Sequence, residues 1–178
     1  MDYPKILSLE DIYSRFKEPS RILEVGFGDG RFLAKLCEEG HSVVGTEVSA
    51  RMIEETRKRI PQATMLLNDQ PGEIDGYFDA VCCFEVLEHV PDPIALARQF
   101  PANLMYASVP NAGRWYPKLT RRYEYWDYPP NHLWRFCDCE PLGPDHHGQD
   151  CKLGDLSKLA ENQRAMSLRW LLQEAGYT

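Results

Sequence analysis

The chain has 178 residues, 43% of them hydrophobic and 26% charged, which excludes a disordered segment and fits one ordinary globular domain around a single core. Its formal net charge of −7 speaks against a protein that grips nucleic acid by its phosphates, since that task draws on clustered Lys and Arg. No apolar run reaches the length of a membrane span.

The opening stretch, MDYPKILSLEDIYSRF, lacks the basic-then-apolar order of an export signal, so a reduced, cytoplasmic protein is expected. Ser8 with Asp11 three residues later marks the start of a short helix. Residues 21–25, RILEV, read as a buried strand that runs straight into glycines. From Asp29, apolar Phe32, Leu33, Leu36 and Cys37 share one helix face, with Gly40 as the stop. HSVVGTEVS is a second strand, and Ser49 caps a second helix that ends before Pro61. QATMLLND is a third strand, FDAVCCFEV a fourth, DPIALARQF a helix with Pro93 in its first turn, and NLMYASVPN a fifth strand. Cys82 and Cys83, within the fourth strand, read as small buried hydrophobes. Strands alternating with helices predict a doubly wound α/β fold with parallel pairing and right-handed crossovers.

The pattern changes after Asn111. Eight of the twenty aromatic residues fall between Trp115 and Phe136, interleaved with Lys118, Arg121, Arg122 and Arg135. Aromatic walls with a few polar anchors suit a small organic substrate. Stacked bases would suit them too, but the acidic total disfavours nucleic acid. Residues 112–152 are therefore read as an aromatic lid and irregular insert, and 153–176 as a C-terminal helical segment. The insert carries Cys137, Cys139, His146, His147 and Cys151, whose spacings fit no zinc-finger or ribbon pattern, so no metal is expected.

The loop LEVGFGDGRF holds the chemistry. Glycines let backbone N–H groups approach a ligand, and the start of the next helix favours negative charge. A dinucleotide loop needs a third Gly or Ala where this chain has Arg31, and no P-loop string is present. What stands here is E-x-G-x-G-x-G: Glu24, Gly26, Gly28 and Gly30. That string resembles motif I of the class I S-adenosylmethionine-dependent methyltransferases. FDAVCCFEVLEHVPDP, SVPN and YPPNHLWRF extend the likeness, especially to the type 11 and type 23 families, over roughly residues 20–136.

The resemblance implies a Rossmann-like sheet of strand order 3-2-1-4-5 with helices on both faces, and S-adenosyl-L-methionine as cofactor. It implies a cofactor site from Glu24, Gly26, Gly28, Gly30, Glu47, Val48, Asp69 and Phe84. Glu47 takes the ribose acid's place, Asp69 that of the acid near the adenine, and Glu24 stands behind the loop. Ordinary turn chemistry is the competing reading of Asp69. The implied reaction is in-line methyl transfer to a small-molecule acceptor, with a cofactor-binding protein lacking efficient turnover as the alternative. No catalytic residue is assigned. His89 and His132 are the candidates for a base, and a structural histidine bonded to a neighbouring carbonyl is the competing reading of His89. The family's sixth and seventh strands are missing from the pattern, which leaves the fifth strand as an open edge where copies are expected to associate.

Overall fold

A computed structural model describes residues 12–67, 74, 76–100, 102–111, 125, 130–137, 164–167 and 176. Strands β1 (Arg21–Val25), β2 (Ser42–Glu47), β3 (Thr64–Leu67), β4 (Phe78–Phe84) and β5 (Ala102–Ser108) form one sheet in the order β3-β2-β1-β4-β5. The order reverses beside β1, and ligands of such sheets bind outside the carboxyl ends of the strands at that reversal. Parallel pairing sets Leu23 against Val44 and Val25 against Thr46, and Glu47 against Leu67. Ile22 and Leu23 are both 0% exposed, although successive residues of a strand face opposite sides. The same holds for Cys82 and Cys83 in β4, so the sheet is covered on both faces.

The helices start and stop where their caps dictate. Helix α1 (Arg31–Glu38) buries Phe32, Leu33 and Leu36 and ends at Gly40, whose φ of 86° lets the chain reverse. Helix α2 (Ala50–Arg59) is capped by the Ser49 hydroxyl, which accepts the Met52 N–H at 3.4 Å. Helix α3 (Pro93–Gln99) has Asp92 as cap, accepting the Ala95 N–H at 2.9 Å, and Pro93 in its first turn, where a missing N–H costs nothing.

Packing divides the chain into two compact units, Met1–Cys82 with Pro101–Tyr106, and Cys83–Phe100 with Ala107–Thr178. The second unit carries a separate two-stranded sheet in which β6 (Trp134–Cys137) runs parallel to β7 (Arg164–Ser167). A single bridge joins Asn111 to Phe136. Within the helical segment expected over 153–176, the described residues Arg164–Ser167 form a strand instead. Ladder pairing with WRFC overrides the local helical pattern there. The proposed helix start at Ser8, most of the lid at 112–129 and the cluster Cys139, His146, His147 and Cys151 lie outside the described residues.

Two glycines are fixed by packing. A Cβ at Gly30 would overlap Thr56 Cγ2 of α2, and one at Gly45 would lie 2.7 Å from Phe27 Cδ1 and 2.8 Å from Leu33 Cδ1. Gly30 also sits at φ 71°, a conformation that strains any L side chain. Gly30→Ala is expected to lower stability by about 2–4 kcal/mol from strain and overpacking together. Adding Thr56→Ser, which removes the colliding methyl and keeps the hydroxyl, recovers part of that loss in a urea-denaturation double-mutant cycle. Strict additivity of the two changes would refute the contact.

Candidate functional site

The turn after β1 is built by three alternating departures from ordinary backbone geometry: φ is 70° at Gly26, 53° at Gly28 and 71° at Gly30. Only glycine takes such angles without strain, which explains the alternating glycines. The turn is sewn to β2, where the Thr46 carbonyl accepts the N–H groups of Gly26 at 2.8 Å and Phe27 at 3.1 Å. A Cβ at Gly28 would meet nothing within 4 Å, so this turn faces open space.

Glu47 closes β2 and is 9% exposed. Its Oε2 accepts the Gly28 N–H at 3.0 Å, and its Oε1 accepts those of Val48 at 2.9 Å and Ser49 at 3.0 Å. One carboxylate thus joins the glycine turn to the cap of α2. A carboxylate offers about four lone-pair directions, so one on Oε2 remains. Next to it, Val48 leaves 75% of its surface exposed. Gly30 gives α1 no side-chain cap, and no acidic residue stands in the helix's first turn, but the Asp29 carboxylate just before it accepts the Arg31 N–H at 3.2 Å.

Glu24 lies in β1 at 4% exposure, with Oε2 lacking any donor. Burial pushes its carboxyl up to about 8, helped by the charges of Asp29 and Glu47 and opposed by the Leu33 N–H. Asp69 lies outside the described residues. Phe84 ends β4 and is half-buried. Residues 24, 26, 28, 30, 47 and 48 are thus gathered in one unit.

The second unit gathers another set. His89 Nδ1 bonds the Asn131 carbonyl, as its structural reading requires. The Glu88 carbonyl accepts the N–H groups of Leu133 at 2.7 Å and Trp134 at 3.2 Å, and the Val90 carbonyl accepts Trp134 Nε1 at 2.9 Å. These bonds bring LEHV against NHLW, so that the rings of His89 and His132 lie 4.9 Å apart, centroid to centroid. Glu88, directly before His89, carries no signal of this role in the sequence. It is 1% exposed, and burial pushes its carboxyl up to about 7, opposed by its own backbone N–H, which falls short of a hydrogen bond, and helped by the Glu85 charge. Glu85 itself holds φ 55°, rare for a residue with a side chain, and accepts the Ser108 hydroxyl at 2.9 Å.

A glycine turn facing a strand-end carboxylate, on a sheet of this order, defines a Rossmann-like domain of the nucleoside-binding kind. The model of the methyltransferase domain family of type 23 matches residues 4–178, and the chain belongs to that family, one of the S-adenosylmethionine-dependent methyltransferases. Ubiquinone biosynthesis O-methyltransferase of Vibrio parahaemolyticus is 32% identical over 89 residues, covering 46% of this chain and 38% of the relative. The enzyme of the same name from Xanthomonas campestris is 31% identical over 86 residues, 44% and 36% of the two chains. The matched stretch thus spans well under half the length of these relatives. Among solved structures, the N-terminal domain of EvdMO1 with SAH bound shares 25% identity at a TM-score of 0.49, covering 56% of this chain and 46% of that one. Magnesium protoporphyrin IX methyltransferase from Synechocystis PCC 6803, solved with SAM, shares 22% identity at 0.45, covering 51% and 48%.

The raised carboxyl of Glu24 makes stability depend on pH. Below about 4.5 it is protonated in both states; between about 4.5 and 8 the unfolded chain releases the proton and the folded one keeps it. Unfolding is therefore favoured as pH rises through that window, by up to about 1.4 kcal/mol per pH unit, and the slope vanishes above it. Glu24→Gln is expected to flatten its share of the slope in urea midpoints measured from pH 5 to 8. An unchanged slope would show that the carboxyl is not buried in its neutral form.

Proposed function

We propose that this chain binds S-adenosyl-L-methionine at the turn of residues 26–30 and at Glu47, and transfers its sulfonium methyl to an oxygen of a small-molecule acceptor. The observation that carries the reading is the 3.0 Å bond between Glu47 Oε2 and the Gly28 N–H, beside open space. A ribose presents two vicinal hydroxyls. One takes the remaining lone pair of Oε2, and the other competes with Gly28 N–H, freeing that donor for the ligand's carboxylate. Glu24 supports the turn from behind through Leu33, Val48 offers an apolar surface to the nucleoside, and Asp69 and Phe84 complete the cofactor site in this proposal.

An oxygen acceptor is favoured because the related enzymes of Vibrio and Xanthomonas are O-methyltransferases by name. The sulfonium is already activated, so holding the acceptor in line with the S–CH3 bond supplies most of the catalysis. No helix among the described residues is long and apolar enough to cross a membrane. The thiols of Cys82 and Cys83, both at 0% exposure, support a reducing cytoplasmic setting. The β5 edge, with Leu104 47% exposed, is our proposed place of self-association. Scattering that yields one mass across a hundredfold concentration range would remove that last element.

Calorimetry tests the cofactor reading directly. S-adenosylmethionine and its demethylated product are expected to bind, NADH is not, and Glu47→Ala weakens binding at least tenfold, about 1.4 kcal/mol. A panel of phenolic, amine and thiol acceptors with labelled cofactor then reads the chemistry, with label expected on the phenols. Binding without transfer to any acceptor would favour a cofactor-binding protein without turnover, and tight NADH binding would overturn the assignment.

A further inference from the structure

The geometry points to a site for a divalent first-row transition metal formed by Glu88, His89 and His132, with an open position for water or an ionised oxygen ligand. This stands apart from the cofactor reading and departs from the absence of metal expected from the sequence. One donor atom from each residue lies within 4.8 Å of the others. The Glu88 Oε1 to His89 Nε2 distance is 3.8 Å. A tetrahedral ion with bonds of about 2.0–2.2 Å holds its ligands roughly 3.3–3.6 Å apart, so closure asks the donor atoms to approach one another by up to about 1.5 Å.

Three independent features prepare these residues for a cation. Both carboxylate oxygens of Glu88 are buried without a hydrogen-bond donor, a state that native proteins rarely leave uncompensated. An ion pair with His89 does not answer it, because at 3.8 Å that ring makes no hydrogen bond to the carboxylate. Second, the Asn131 carbonyl can only accept, so His89 Nδ1 carries the proton and Nε2 keeps its lone pair in the neutral ring. Metal-bound histidines are oriented in this way, by a carbonyl or carboxylate on the other ring nitrogen.

Third, the ligands are held before any ion arrives. Glu88 and His132 are 1% and 9% exposed, and the bonds from Leu133 and Trp134 to the Glu88 and Val90 carbonyls fix LEHV to NHLW. The His89 side chain is 47% exposed, which leaves the ion a way in. Two imidazoles and one carboxylate form a donor set of intermediate softness, suited to Zn²⁺, Fe²⁺ or Co²⁺ and poorly suited to Mg²⁺. Three protein ligands are one fewer than a closed structural zinc site uses, which is why we assign an open coordination position.

The test uses the full chain, stripped with chelator and titrated with Co²⁺ and Zn²⁺. We expect one tight equivalent of metal, cobalt d–d bands without a thiolate charge-transfer band, and a metal-induced rise in melting temperature. His132→Gln and Glu88→Gln should each weaken binding tenfold or more. Glu88→Gln should also melt no lower than wild type without metal, because it removes a buried acid that lacks donors, yet lose the metal-induced rise. That last pairing separates a lost ligand from a misfolded chain. Wild-type affinity in both variants, a thiolate band accounting for all bound cobalt, or no tight equivalent in the wild type would each overturn the site.

Discussion

The Glu47 carboxylate is the constraint from which the candidate cofactor site follows. It is the last residue of β2, and it gathers N–H groups from Gly28, Val48 and Ser49, which belong to two different turns. Bonds from amides to an ionised acceptor are worth about 1.5–3 kcal/mol each, roughly twice a neutral bond. A turn with three positive φ angles has little intrinsic preference for one shape. The carboxylate and the Thr46 carbonyl, which together hold residues 26, 27 and 28, supply that shape. The turn is therefore shaped by the same acid that is proposed to contact the ligand, and in that proposal binding exchanges its bond to Gly28 for one to the ribose.

The glycines of this region are not interchangeable. Gly28 keeps a volume empty, whereas Gly30 and Gly45 let neighbours come close: Thr56 of α2 in one case, Phe27 and Leu33 in the other. Reading the loop against the dinucleotide pattern puts Arg31 in the packing position, but the Arg31 side chain is 87% exposed and pairs with Asp29 at 2.7 Å. The packing contact falls one residue earlier, at Gly30. An entropic penalty of about 0.5–1 kcal/mol per glycine is thus spread over two different ends, space for a ligand and closeness of helix to sheet.

The strands and helices described between residues 21 and 108 were legible because each is bounded by a local signal. Apolar runs ending at Gly26 and Glu47 gave β1 and β2, and Ser49 and Pro93 marked where α2 and α3 begin. What escaped were features that depend on partners distant in sequence. Residues Arg164–Ser167 sit in a helical-looking stretch and become strand only because Trp134–Cys137 offers a ladder. Gly45 looks like an ordinary strand residue until Phe27 and Leu33 are in place. Glu88 passed as part of a strand-end motif, since nothing local to LEHV says that both its oxygens are buried. Its significance emerges from His132, 44 residues away along the chain, and the positive φ of Glu85 carried no signal in composition or period.

Glu24 and Glu88 make a useful pair, because burial raises both carboxyls while their surroundings differ. Glu24 keeps one backbone donor, from Leu33, and its other neighbours of note are the carboxylates of Asp29 and Glu47. Like charges nearby favour the neutral acid, the form in which Glu24 is carried beneath the turn. Glu88 faces two imidazoles, one with its lone pair already fixed by a carbonyl on the opposite nitrogen. In the proposed site a cation answers the donorless oxygens of Glu88 and the Nε2 lone pair of His89 with one atom, which is why the same kind of buried carboxyl reads as a support in β1 and as a ligand in the turn after β4.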